Sequence, residues 1–126
     1  MEFKEERDYE FLKVCENIRK SSKEYISTKN IAIRAIQSNA PSFFLSEREL
    51  WKIIREKEKI NQIPKSEIKA ELHRTIRRRY RQLKLAFPNM KIGKIIQSLA
   101  LASAPRFYIT EARAVTLYYQ LLKQKK

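Results

Sequence analysis

The sequence repeats one eight-residue stretch, APSFFLSE at residues 40–47 and APRFYITE at residues 104–111. The two copies start 64 positions apart (104 − 40), about half of the 126-residue chain. A shorter match, IQS at residues 36–38 and again at 96–98, precedes them. Each copy lies between two apolar segments with helical spacing. The repeat therefore predicts a duplicated helical unit.

Glycine content favours one fold class. The chain contains one glycine, Gly93, where average usage of about 7% would give about nine. β-Hairpins need residues at positive φ, usually glycine or asparagine, and no Asn-Gly or Asp-Gly pair occurs. We therefore expect an all-α protein of about six helices. The two helix–helix–repeat–helix units, residues 1–63 and 64–126, should pack as one compact bundle with a shared core.

Apolar spacing and capping residues predict where the helices begin and end. The predicted spans are roughly residues 3–22, 28–38, 47–59, 66–87, 89–102 with Asn89 as N-cap, and 110 onward. Ser27 is placed to cap the second helix, and Ser46 with Glu49 has the spacing of a capping box. In the second copy, Thr110 occupies the N-cap position, but Arg113 occupies the position at which a capping box needs glutamate.

The aromatic pairs of the repeat, Phe43-Phe44 and Phe107-Tyr108, allow two interpretations. Adjacent rings before a helix cap can fill the space between two helices, or they can form a stacking platform for unpaired bases. Cys15 also has two interpretations, because a lone thiol among apolar helix positions is either buried and inert or exposed and reactive. For Cys15 the surrounding residues favour burial.

Positive charge is concentrated in the second half of the chain. The net charge is +14. Residues 1–63 carry 13 Lys and Arg against 11 Asp and Glu, whereas residues 64–126 carry 15 against 3. The helix predicted over 66–87 has an apolar stripe, and five of its cations fall on the opposite face, whereas Arg79 falls near the centre of the stripe. The stripe consists of Ile68, Leu72, Ile76, Leu83 and Phe87.

The basic face has features that favour phosphate binding over a simple solvated surface. Arginine outnumbers lysine there, and its planar fork matches phosphate geometry. No glutamate is interleaved with the cations, as it would be on a salt-bridged helix. The predicted phosphate-binding residues are Arg74, Arg77, Arg78, Arg81, Lys84, Lys91, Lys94, Arg106, Lys123, Lys125 and Lys126.

Residues for catalysis or metal binding are scarce. The chain has one histidine, His73, and one cysteine, and it carries no metal-binding or phosphate-loop motif. We therefore expect neither an enzyme nor a metal or other cofactor. The acidic N-terminus does not resemble a signal peptide, and no apolar run reaches membrane-span length. With no disulfide possible, a cytoplasmic protein is expected.

The segments around the repeat, residues 27–59 and 89–124, resemble tandem helix-turn-helix-like DNA-binding proteins. The resemblance implies a nucleic-acid-binding protein, with double-stranded DNA favoured over RNA. The alternative is a structural or regulatory module that docks on an acidic protein, acts within an assembly, or self-associates through its last helix. The paired Tyr118 and Tyr119 favour this alternative if both are exposed. A membrane-surface helix over 66–87 is a weaker third hypothesis, because its apolar stripe is needed for the core.

Overall fold

The chain folds into six α-helices in a computed structural model that describes residues 3–55 and 66–124. No strand occurs in these ranges, so the all-α prediction is confirmed. The predicted helix ends lie within three residues of those observed, except for the end near residue 59, which lies outside the described residues. The helices are α1 (Lys4–Ser21), α2 (Thr28–Ile36), α3 (Glu47–Arg55), α4 (Glu67–Ala86), α5 (Ile92–Leu101) and α6 (Glu111–Gln124).

The predicted caps hold three helix N-termini. The Ser27 side chain accepts a hydrogen bond from the Asn30 amide at 3.2 Å. Ser46 and Glu49 form the reciprocal box, since the Ser46 hydroxyl accepts from the Glu49 amide at 3.1 Å and the Ser46 amide donates to Glu49 Oε1 at 3.3 Å. Thr110 accepts from the Arg113 amide at 3.2 Å. Each cap satisfies backbone donors that a helix leaves unpaired at its start.

The helices group into two compact units that do not coincide with the two halves of the sequence. One unit, Phe3–Phe43 with Ser103–Lys126, contains α1, α2 and α6. The other, Phe44–Ala102, contains α3, α4 and α5. Each unit thus combines two helices from one half of the sequence with the third helix of the other half. The division at residues 63 and 64 remains a prediction about the repeat.

The core of the α1–α2–α6 unit joins residues distant in sequence. Phe11 and Cys15 of α1 and Tyr118 of α6 are fully buried. Phe11 packs against Phe107 in an edge-to-face arrangement, with 6.0 Å between the two ring centroids. The equivalent alanines of the two repeat copies, Ala40 and Ala104, exchange two backbone hydrogen bonds of 3.0 and 2.9 Å. The second repeat copy is therefore part of the core that holds α1 and α2.

The α3–α4–α5 unit has a core drawn from one side of each helix. Its buried side chains are Leu50 and Ile53 of α3, Leu72 and Ile76 of α4, and Ile95, Ile96 and Leu99 of α5. Leu72 and Ile76 lie one turn apart, as the predicted apolar stripe requires. Within the described ranges of the chain, no helix is both long and apolar enough to cross a membrane.

Phe44 has an unusual backbone conformation at the point where the chain passes from one unit to the other. Its φ is 57°, in the left-handed region, and it is the one non-glycine residue with positive φ among those described. This conformation costs an L-residue roughly 1–2 kcal/mol, although the Phe44 ring is buried. The equivalent Tyr108 does not share this conformation. Ring burial therefore offsets the backbone strain at Phe44.

Cys15 should make the stability of the protein fall in alkaline solution. Burial raises the pKa of its thiol from 9.0 to about 12, with a smaller contribution from the Glu16 carboxylate. Between these two values the unfolded chain loses the thiol proton and the folded chain keeps it. The stabilisation from this group is therefore complete below pH 9 and is lost as the pH rises towards 12, by about 1 kcal/mol per pH unit.

Chemical denaturation of the wild type and of Cys15→Ala at pH 7 and pH 10 measures this contribution. The wild type should lose about 1 kcal/mol more than the variant between the two pH values. The variant supplies the control for lysine and tyrosine titration, which both proteins share. Equal losses would show that the folded thiol ionises normally.

Candidate nucleic-acid interface

The candidate site begins on the solvent-facing side of α4. Arg74, Arg78 and Arg81 follow one another at spacings of four and three, so they share one face of the helix. All three side chains are exposed. Lys84, one turn after Arg81 and in the last turn of α4, is exposed as well. The opposite side of the helix carries the buried Leu72 and Ile76. Core packing thus directs these four cations to solvent.

One acidic residue, Glu71, lies a turn before this face, and none lies within it. Between Glu71 and Glu111 there are nine arginines and lysines and no aspartate or glutamate. The segment therefore carries a local excess of positive charge, which is the electrostatic requirement for a polyanion ligand.

Two further predicted residues lie at the end of the connection from α4 to α5 and just after it. The connection spans residues 87–91, and Lys91 and Lys94 at the start of α5 are exposed. Lys91 occupies the N-cap position without a side-chain cap, so the prediction of Asn89 as N-cap is wrong. A Cβ added to Gly93 would meet no atom within 4 Å. The first turn of α5 is thus open to solvent and flanked by lysines, a favourable environment for phosphate.

Arg77 makes an internal contact that its sequence position did not reveal. Its Nε donates a hydrogen bond to the carbonyl oxygen of Ile53 at 3.2 Å. Ile53 lies on α3, so this hydrogen bond joins a side chain of α4 to the backbone of α3. Arg77 is half-buried by this packing. It therefore stabilises the α3–α4 contact, whatever it also contributes to a ligand.

Neighbouring arginines of α4 should consequently differ in their effect on stability. Arg77→Gln should lower the free energy of unfolding by about 1–2 kcal/mol, because a charge-assisted hydrogen bond to the Ile53 carbonyl is lost. The matched change Arg78→Gln should alter it by less than about 0.5 kcal/mol, as expected for an exposed site. Urea denaturation of both variants makes the comparison. Equal effects would show that the Ile53 contact does not contribute.

Arg106 is also engaged within the chain. Its Nε donates to the Phe107 carbonyl at 3.1 Å, and its guanidinium lies 5.7 Å from the Tyr108 ring centroid. It belongs to the α1–α2–α6 unit, as does the exposed Lys123. Lys125 and Lys126 lie outside the described residues. Seven of the predicted residues, the five on α4 together with Lys91 and Lys94, thus belong to the α3–α4–α5 unit. Arg106 and Lys123 belong to the α1–α2–α6 unit.

The aromatic residues of the repeat pack inside the protein. Phe43, Phe44 and Phe107 are buried, and Tyr108 is half-buried and stacked on Phe43 with centroids 6.2 Å apart. Packing between helices is therefore the correct interpretation of these pairs. A stacking platform for bases at Phe43, Phe44 and Phe107 is contradicted, because these three rings are buried.

Tyr118 corrects a second expectation about aromatic residues. Its side chain is fully buried, whereas Tyr119 is half exposed, so the prediction of an exposed tyrosine pair is wrong for Tyr118. Burial raises the pKa of the Tyr118 phenol, and the nearby Glu16 carboxylate raises it further. The breadth of apolar residues on α6 arises because this helix packs against both α1 and α2.

Exposed apolar side chains near the basic face were not predicted. Leu85 is 82% exposed and Phe87 is 52% exposed. The sequence analysis placed Phe87 on the buried stripe, which requires the helix to continue through that position. Instead α4 ends at Ala86 and Phe87 is its C-cap residue, with φ −131° and ψ 72°. The helical period therefore does not apply at Phe87, and its side chain is half exposed.

Other surfaces of the described chain offer less to a nucleic acid. A groove of about 300 Å³ runs between α1 and α6, with Tyr9, Leu12 and Leu121 among its lining residues. The groove is also lined by Lys13, Lys20 and Glu16, so it carries charges of both signs. Among residues 3–55 and 66–124, no three His, Cys, Asp or Glu side chains are grouped so that they could hold a metal ion.

Comparisons with known proteins were made at the level of sequence families, curated proteins and solved structures. No family model matches the chain, and neither a curated protein nor a solved structure does. A conclusion about the function of this protein therefore rests on its fold and its charge distribution.

Proposed function

We propose that this protein binds nucleic acid, with double-stranded DNA as the preferred form, and that it does so without catalysis. The observation that carries the proposal is the run of exposed cations on α4 and at the start of α5, in a segment with no acidic residue between Glu71 and Glu111. Arginine and lysine in such a run replace condensed counterions along a phosphate backbone. The residues proposed to contact phosphate first are Arg74, Arg78, Arg81, Lys84, Lys91 and Lys94.

The exposed face suits a helical phosphate backbone in length as well as in charge. Arg74 and Lys84 are ten positions apart on one helix, which corresponds to about 15 Å at a rise of 1.5 Å per residue. Phosphates of one DNA strand follow one another at about 3.4 Å along the axis. The face can therefore contact several phosphates at once. We also propose a cytoplasmic location, where the Cys15 thiol would remain reduced.

Fluorescence anisotropy with labelled nucleic acids tests the proposal. A duplex DNA, a matching duplex RNA and a single strand are titrated with the protein at about 50 mM salt, where electrostatic binding is strong. All three should bind, and duplex DNA should bind most tightly. Absence of binding to every one of them would remove nucleic acid from consideration.

A protein partner is the second candidate, and the groove between α1 and α6 favours it. Tyr9, Leu12 and Leu121 supply apolar side chains to its lining. A partner helix could place apolar side chains there. Such a complex would survive in about 0.5 M salt, where binding driven by phosphate contacts is mostly lost. Analytical ultracentrifugation at that salt concentration would also detect self-association.

A further inference from the structure

The turn between α4 and α5 combines exposed apolar side chains with cations. We call residues 84–94 the α4–α5 corner. Leu85, Phe87 and Ile92 are 82%, 52% and 38% exposed, and Lys84, Lys91 and Lys94 are interspersed with them. Single exposed apolar residues need no explanation, but three within eight positions, surrounded by cations, indicate a contact surface. A ligand for this corner needs both an apolar part and a negative charge.

The backbone of the corner holds Phe87 in a defined position. Its amide donates to the Leu83 carbonyl at 2.8 Å, and its own carbonyl accepts from the Met90 amide at 3.0 Å. The ring is therefore presented from a hydrogen-bonded turn. A positioned aromatic ring loses little conformational entropy when it packs against a flat partner.

We propose that the α4–α5 corner packs Phe87, flanked by Leu85 and Ile92, against nucleic-acid bases at a position where base stacking is interrupted. This inference rests on the proposed function. It adds that the corner gives the protein a preference for nucleic acid in which base stacking is interrupted. Apolar side chains insert at unstacked base steps in proteins that bend DNA, and aromatic rings stack on unpaired bases. The lysines of the corner and the arginines of α4 would hold the phosphates on either side.

The distribution of charge favours nucleic acid over a lipid surface as the partner. Exposed cations extend from the corner back along α4 to Arg74, about 15 Å at the rise of an α-helix. A helix lying on a membrane needs an apolar side facing the lipid along its length. On α4 that side carries Leu72 and Ile76, which are buried in the core. The exposed large apolar side chain of α4 is Leu85, which lies within the corner.

The test compares a perfect DNA duplex with the same duplex carrying a two-base bulge, each titrated by anisotropy. Wild type should bind the bulged duplex about 5–100-fold more tightly, the range expected for stacking on one base. Phe87→Ala should lose this preference while keeping its affinity for the perfect duplex. Phe87→Trp should keep the preference. Leu101→Ala is the matched control, since Leu101 is 85% exposed in the same unit but lies at the other end of α5.

The outcomes separate this inference from the proposed function. Equal affinity of the wild type for both duplexes, or an unchanged preference in Phe87→Ala, would overturn the role of the corner and leave nucleic-acid binding intact. No binding to either duplex would overturn both. Vesicles of phosphatidylcholine with phosphatidylserine provide the remaining comparison. Phe87-dependent binding to these vesicles without a bulge preference would assign the corner to lipid and overturn the inference.

Discussion

Replacing Arg74, Arg78 and Arg81 together by glutamine should weaken binding to duplex DNA by roughly two to three orders of magnitude at about 0.1 M salt. Each phosphate contact that is lost removes about a tenfold factor at that salt concentration, because fewer counterions are released. The fold should be retained, since all three side chains are exposed and glutamine is a good helix former. Anisotropy measures the affinity, and circular dichroism checks the helix content.

A control variant separates a specific face from total charge. Lys20, Lys29 and Arg34 are exposed in the α1–α2–α6 unit, and their replacement by glutamine removes the same three charges. This variant should lose far less affinity than the first. If the two triple variants bind DNA equally well, net charge alone accounts for binding, and α4 has no special role.

Phe107→Ala should lower the free energy of unfolding by about 3–5 kcal/mol, the usual cost of removing a buried aromatic ring. The Phe107 ring is 1% exposed and packs against Phe11. Because the two rings belong to opposite halves of the sequence, the loss should appear in α1 and α2. Native-state hydrogen exchange should show faster exchange of amides in those helices than in α4 and α5.

Leu50→Ala provides the reciprocal variant. Leu50 is fully buried in the α3–α4–α5 unit, so its truncation should cost about 2–5 kcal/mol. The faster exchange should then appear in α4 and α5, although Leu50 lies in the first half of the sequence. The interleaved packing would be refuted if each substitution loosened the helices of its own sequence half instead.

Local signals in the sequence were sufficient to predict the helices. Capping residues such as Ser46 with Glu49 act through backbone groups within one turn, so their effect does not depend on the rest of the fold. Apolar spacing likewise predicted the buried Leu72 and Ile76. The grouping of helices could not be predicted in this way, because an apolar face does not specify which helices will cover it. Tertiary packing decided between them.

The candidate site was predictable in charge but not in detail. Periodicity correctly placed Arg74 and Arg78 on the exposed face, since the buried stripe fixes the orientation of the helix. The same reasoning could not show that Arg77 contacts the Ile53 carbonyl of α3, because that contact spans 24 positions in sequence. It also misplaced Phe87, because the period applies only while the helix continues, and α4 ends one residue earlier.

The most direct test of nucleic-acid binding through this face is the salt dependence of DNA affinity. Binding of a labelled duplex of about 25 base pairs is measured at several salt concentrations, and log K is plotted against log salt. If the six exposed cations of α4 and α5 each neutralise one phosphate, the slope should be about −5, and about −2 to −3 for the Arg74, Arg78 and Arg81 triple variant. A slope near zero, or one that the triple variant leaves unchanged, would contradict the assignment of this face to DNA.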